Sequence, residues 1–391
     1  MTQRPSRESL SILRQLIAYD TTSRNSNLEL IDYVTTYLDG VSVPYRLTFD
    51  DTALKANLFA TIGPAEISGG FVLSGHTDVV PVDGQEWDTD PFDLTEKDGK
   101  IFGRGTTDMK SFVAVVLSVI PELLNRGLNV PIYIALSYDE EVGLVGVRRL
   151  ISDMCENGIV PAGCIVGEPT NMQVVASHKG KRSYRCVVRG LEAHSSLAPS
   201  GVNAVEYASA IIAFIQKISQ EFRTSGPFDD EYDCPHTTVH VGTIRGGAAL
   251  NIVPAECIFD FEFRHLPGDN PEEIFTRIEN FANDELLPKM RSVFAGAAID
   301  FEPMAVIPSL DTNEDALITQ YAKAITGENY VRKVSYNCEA CLFHGAGVPT
   351  IICGPGDIEQ AHKPNEYIEL TQVSKCEDFI RGFMDKVCVP A

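Results

Sequence analysis

Four short apolar runs in this chain each lead into a polar stretch that carries an acid or a histidine. Phe71-Val72-Leu73 leads into Ser74-Gly75-His76-Thr77-Asp78, and Val130–Ser137 into Tyr138-Asp139-Glu140-Glu141. Gly163–Val166 leads into Gly167-Glu168-Pro169-Thr170, and Pro349–Cys353 into Gly354-Pro355-Gly356 and on to His362. Runs of this length, bounded by turn residues, read as strands buried on both faces. Amphipathic segments at Ser9–Ala18 and Leu28–Leu38, and the segments Ser111–Leu124 and Glu314–Ile325, read as helices, the third stopped near Gly127. Strands alternating with helices predict an α/β sheet covered on both faces. Such sheets bind ligands at the carboxyl ends of their strands, where the acids and histidines fall here.

The pattern changes near Lys179. Arg182–Arg189 alternates like a half-exposed strand, Val202–Ser219 reads as a helix, Thr237–Ile244 and Cys257–Arg264 as strands, and Glu272–Leu287 as a helix. That order predicts a compact α+β insert, after which the α/β style resumes near Pro308. The expected domains are 1–180 and 307–391 as two parts of one domain, interrupted by 181–306. A chain of 391 residues has room for two domains.

Composition narrows the function classes. With 44% hydrophobic and 22% charged residues the chain is an ordinary globular one. A net charge of −22 lacks the basic footprint of a nucleic-acid binder and repels anionic membranes. No apolar run approaches the roughly 20 residues that span a bilayer. Ten scattered cysteines and no visible secretory signal point to the reducing cytoplasm.

Each candidate group is ambiguous alone. His76 and Asp78, two apart on extended backbone, face the same side. Asp78 can therefore orient an imidazole that binds metal. Asp108, at the mouth of a helix, can be an N-cap or a metal ligand that bridges two ions. Glu140 and Glu141 diverge at a strand exit, so one can bind metal while the other serves as general base. Glu168 and His362 each have an ordinary surface reading. What they share is position: all lie at strand exits or adjoining loops of one sheet.

With these motifs in place, the chain resembles the co-catalytic dizinc hydrolases, a family that includes aminoacylases, carboxypeptidase G, succinyl-diaminopimelate desuccinylase and acetylornithine deacetylase. The resemblance covers nearly the whole chain. It is carried by Ser74–Pro81, Gly103-Arg104-Gly105 through Asp108-Met109-Lys110, Asp139-Glu140-Glu141, Gly167-Glu168-Pro169-Thr170 and Gln360–Glu366. Gly201-Val202-Asn203-Ala204 and Ala361-His362-Lys363-Pro364 are most similar to the acetylornithine-type members. The resemblance implies a catalytic domain with a central mixed sheet, interrupted by a smaller α+β dimerisation domain. It implies two divalent metal ions, zinc or alternatively cobalt. His76, Asp108 and Glu168 would surround one, and Glu141, Asp108 and His362 the other. Asp78 would orient His76, and Glu140 would be the base. His194, in Gly190–Ser196, would reach the partner's site in a homodimer.

The activity so implied is hydrolysis of the N-acetyl amide of N2-acetyl-L-ornithine. Its alternatives are another N-acyl amino acid, a desuccinylase substrate or a dipeptide, and a non-catalytic metal-binding protein, against which the intact Glu140 argues. For the substrate, Arg264 is expected to take the α-carboxylate, with Asn251 adding a hydrogen bond. Glu339 is expected to take the side-chain ammonium, unless it is an ordinary loop or helix-terminal carboxylate. Asn337-Cys338 departs from the Gly-Thr usual before that glutamate. Cys338 and Cys341 form a Cys-x-x-Cys with no second pair, which argues against a metal or redox role.

Overall fold

The computed structural model describes residues 4–388. They divide into two units: one comprises the residues up to Ser177, Leu310–Lys333 and those from Cys338 onward, and the other His178–Ser309 with Val334–Asn337. The return of the short segment Val334–Asn337 to the smaller unit has no counterpart in the sequence pattern.

The larger unit is built on a mixed nine-stranded sheet. Its centre runs in the order Ile132–Ser137, Phe71–His76, Gly163–Pro169, Thr350–Gly354, and the neighbours are parallel. Every residue of these four strands is buried. Successive side chains point to opposite faces, so both faces are covered. The hairpin Tyr45–Phe49/Ala56–Ile62 extends one edge antiparallel to Ile132–Ser137. From the Phe71–His76 strand the chain goes to a neighbour on one side and later to a neighbour on the other. That reversal opens a crevice at the carboxyl ends of the central strands.

Helix Lys110–Ser118 packs on the Phe71–His76 strand and is buried at every position from Lys110 to Leu117. A helix apolar all round belongs inside a domain. Its one cation, Lys110, donates to the carbonyls of Leu16 and Tyr19 at 2.9 and 3.0 Å, which closes the end of helix Arg7–Ala18. Burial pulls that ammonium down to about 7. The segment expected as one helix from Ser111 to Leu124 is two, Lys110–Ser118 and Ile120–Asn125, because Pro121 cannot donate to the preceding turn.

The smaller unit is a four-stranded antiparallel sheet in the order Thr238–Gly246, Glu256–His265, Gly180–Arg189, Ala298–Ile307. Along Glu256–His265 buried and partly exposed residues alternate, and Cys257, Phe259, Phe261 and Phe263 point inward. Helix Ala204–Ser225 meets this face with Ala208, Ile211, Ile215 and Ile218, the spacing of one helical stripe. Asn203 caps its start, and Gly226, at φ 69°, ends it six residues beyond the expected Ser219. The helix expected over Glu272–Leu287 is α-helical only over Pro271–Asn280. A π turn, Phe281–Leu286, follows, and then a new helix over Leu287–Val293. Pro288 removes a donor and crowds the carbonyl four residues back, which loosens the preceding turn.

Candidate metal centre

His76 ends its strand fully buried. Its Nδ1 faces the backbone carbonyl of Asp78 at 2.8 Å, while the Asp78 carboxylate stands 3.6 Å away. Nδ1–H therefore donates to that carbonyl, and Nε2 is left as the lone-pair nitrogen when the ring is neutral. Asp78 thus orients His76 through its main chain, not through the side chain the sequence suggested. The carboxylate has other work. It accepts from Ser23 Oγ at 2.7 Å, from Glu140 N at 3.0 Å and from Glu141 N at 3.3 Å, and so fixes the turn that carries both glutamates. Asp139, in left-handed backbone at φ 53°, pairs with Lys55 and leaves Glu140 and Glu141 to the crevice.

Asp108 lies at the entrance of helix Lys110–Ser118. One of its oxygens is 2.9 Å from His76 Nε2, and the other is 3.2 Å from His362 Nε2. Glu168 Oε1 is 3.6 Å from His76 Nε2, and Glu141 Oε1 is 3.1 Å from His362 Nε2. The result is two groups, His76–Asp108–Glu168 and Asp108–Glu141–His362, in each of which the donor atoms lie within 4.8 Å of one another. Gly167 lets the Glu168 strand approach: a Cβ there would sit 1.9 Å from the Phe112 ring.

The electrostatics of the cluster call for positive charge. Burial and the charge of Glu168 push the Glu140 carboxyl well up, and burial and Asp108 do the same to Glu168. Burial and Asp108 also raise Glu141. Burial would raise Asp108, but hydrogen bonds from His362 and His76 more than reverse it. Burial would lower His76, yet Asp108 and Glu168 carry it well upward. Hydrogen bonds to Asp108 and Glu141 bring His362 up to about 10. Four carboxylates packed this closely hold together only if protons or cations join them. Three carboxylates and two imidazoles, with one carboxylate shared, form a donor set that suits zinc and similar divalent ions.

Glu339 requires a correction. It is fully buried, and its two oxygens accept from Ser74 Oγ at 2.6 Å and Ser137 Oγ at 2.7 Å. With both oxygens engaged beneath the sheet ends, it is not presented to a substrate ammonium. It instead braces the two strands that end in His76 and in the Glu140 turn. Cys338 and Cys341 are buried as well, and burial raises both thiols, so neither offers a thiolate.

The other expected residues belong to the smaller unit. Ser195 N donates to the Asn251 carbonyl at 2.9 Å, and His194 bridges Ile252, so the His194 and Asn251 loops lie side by side. Ser196 N donates to His194 Nδ1 at 3.2 Å, which leaves the His194 Nε2 proton free to donate outward. Arg264 stands 3.3 Å from both Glu262 and the Asn337 side chain. Sequence reasoning missed Glu366 and Arg104, both fully buried and both tied to the Asp108 loop. They lie within recognised motifs, but only their tertiary neighbours reveal what they hold.

A family model described as peptidase family M20/M25/M40 matches residues 72–386. The chain is 34% identical over 385 residues to the acetylornithine deacetylase of Myxococcus xanthus, with 96% of each chain covered. It is 31% identical over 387 residues to that of Proteus mirabilis (strain HI4320), with 97% of each covered. Aminopeptidase PepT from Bacillus cereus ATCC 10987 shares the fold at a TM-score of 0.75 and 21% identity, over 98% of this chain and 99% of that one. So does the Bacillus subtilis YXEP protein, a dinuclear metal binding peptidase, at a TM-score of 0.68 and 13% identity over 97% of each.

Proposed function

This chain belongs to peptidase family M20/M25/M40 and is a metal-dependent amidohydrolase, and from that premise we propose that it removes the acetyl group of N2-acetyl-L-ornithine, yielding ornithine and acetate. The observation that carries the reading is the pair of three-residue donor groups sharing Asp108, with Glu140 buried among their carboxylates. Relatives named acetylornithine deacetylase, matched over nearly the full chain, support the substrate.

In this reading His76, Asp108 and Glu168 hold one divalent ion, and Asp108, Glu141 and His362 the other. Zinc is the metal of choice, with cobalt able to replace it. When bound, the ions supply Lewis acidity to the amide carbonyl and make a water acidic enough to attack near neutral pH. Glu140 takes that water's proton and delivers it to the departing amine. Burial among acids, which raises Glu140, suits a group that must hold a proton between the two steps. His194, with its Nε2 proton free, donates to the oxygen as charge develops there. Arg264 offers a planar fork to the α-carboxylate, and Asn251 a hydrogen bond near His194.

The smaller unit is the dimerisation domain in this reading, and each His194 serves the partner's site in a two-fold dimer. All ten cysteines are unpaired, which suits the cytoplasm. Among the described residues no helix is long and apolar enough to cross a membrane.

The test is a substrate panel with purified, zinc-loaded protein: N2-acetyl-L-ornithine, N-acetyl amino acids with uncharged side chains, N-succinyl-diaminopimelate and dipeptides. The highest kcat/KM should fall on N2-acetyl-L-ornithine. A higher value on any other member overturns the substrate, and no turnover on any overturns the catalytic reading.

A further inference from the structure

Asp108 and His362 come from loops that are far apart in sequence, yet a continuous set of hydrogen bonds joins them away from the crevice. Glu366 is its hub. A carboxylate offers about four acceptor positions, and Glu366 fills four. Its Oε2 accepts from Arg104 Nη1 at 2.6 Å and Gly105 N at 3.1 Å. Its Oε1 accepts from Thr107 N at 2.8 Å and Asp108 N at 3.2 Å. Three main-chain amides of the Asp108 loop thus converge on one buried side chain. Arg104 then turns its other nitrogen to Gln85 Oε1 at 2.7 Å, and Gln85 Nε2 donates to the His362 carbonyl at 3.0 Å. His362 is a non-glycine residue in left-handed backbone, at φ 63°, a conformation that needs support from its surroundings. Trp87 lies against the network, its ring 5.2 Å from the Arg104 guanidinium and its Nε1–H donating to Gln85 at 3.1 Å.

We infer that Glu366, Arg104 and Gln85 are positioning residues that set how tightly the protein holds metal, with Glu366 acting on both ions and Gln85 on one. This rests on the ligand sets given above. Glu366 controls Asp108, which belongs to both donor groups. Gln85 bonds directly to only one of the ligand residues, His362, which belongs to the second group alone. The two links therefore have different reach, and a role confined to folding would not sort the two ions in this way.

The experiment titrates metal-free protein with Zn2+ against a competing chelator, and with Co2+ followed by its visible absorption. Gln85 is only half-buried in a surface loop, so Gln85→Ala keeps the fold even if Glu366→Gln does not. Outer partners of metal ligands typically govern about 10–100-fold in affinity. Gln85→Ala should weaken one of the two binding steps by about 10-fold, leave the other at its wild-type value, and alter the cobalt spectrum only in that step. Glu366→Gln puts an amide among four donors, and should weaken both steps by up to about 100-fold. Curves for Gln85→Ala that superimpose on a two-step wild-type curve, or that weaken both steps equally, overturn the inference alone. A wild-type protein that takes up fewer than two ions overturns the ligand sets, and the inference falls with them.

Discussion

The strand Phe71–His76 and the strand Glu256–His265 differ in length, six residues against ten, and still more in surroundings. The first is buried at every position and has parallel neighbours on both sides. The second alternates, with phenylalanines on one face and Ile258, Asp260, Glu262 and Arg264 on the other. Around the first, the polar residues gather at the strand ends. Around the second, they lie along one face and form ion pairs such as Arg185–Asp260 and Lys181–Glu262. A sheet covered on both faces has nowhere to put polar side chains except its edges, so chemistry concentrates there. A sheet with one open face spreads its charge, and each carboxylate has water and a cation within reach. The same residue type should therefore carry very different weight in the two regions.

The sharpest way to break that contrast is to remove one carboxylate's charge in each. Glu140→Gln should cost about 10²–10⁴ in kcat, while metal content measured by atomic absorption stays at the wild-type level. Asp260→Asn, in the smaller unit, should leave kcat within about 3-fold, as expected for a partly exposed ion pair with Arg185. Near-normal turnover by metal-loaded Glu140→Gln would remove its role as base.

The second comparison concerns packing. Phe261 is 2% exposed in the smaller unit's core, and Phe261→Ala should cost about 3–5 kcal/mol in denaturant unfolding. Zinc stoichiometry should survive at temperatures where the variant is folded, because every ligand proposed above comes from the larger unit. Loss of zinc from folded Phe261→Ala would show that the two regions are not independent.

Next in size is Glu339. Glu339→Ala leaves the hydroxyls of Ser74 and Ser137 buried without their acceptor, at a cost of about 1–3 kcal/mol. Turnover of N2-acetyl-L-ornithine and of an uncharged N-acetyl amino acid should fall by the same factor. A loss confined to the ornithine substrate would restore Glu339 as the reader of the ammonium. The smallest stability effect belongs to the open face of the other sheet. Arg185→Ala should change stability by about 0.2–1 kcal/mol and should do so less in high salt.

These contrasts explain what the sequence made legible. That His76, Asp108, Glu141, Glu168 and His362 converge is legible because buried strands announce themselves as apolar runs, and these groups follow at their ends or in adjoining loops. Glu339 reads as a substrate contact because, in sequence, a loop glutamate looks the same whether it faces solvent or two buried serines. Spacing pairs the Asp78 carboxylate with His76, whereas its hydrogen bonds come from the Ser23 hydroxyl and the Glu140 and Glu141 amides, all distant in sequence. The hairpin Tyr45–Phe49/Ala56–Ile62 escaped notice, since its outer strand is only partly buried and so lacks a continuous apolar run. The helix break at Pro121 is written in the sequence but is masked by apolar periodicity, while the π turn Phe281–Leu286 ahead of Pro288 leaves no mark in that pattern.

Trp87 is the chain's only tryptophan, and it rests on the guanidinium and the amide that connect to His362. Its emission is therefore an intrinsic optical gauge of one corner of the molecule, with no competing indole elsewhere. Quenching by a neighbouring cation and exposure of the ring both depend on how Arg104 and Gln85 are held. A fluorimeter can thus follow the ordering of the His362 loop in unlabelled protein, in real time, and separate it from events at His194 or in the phenylalanine core.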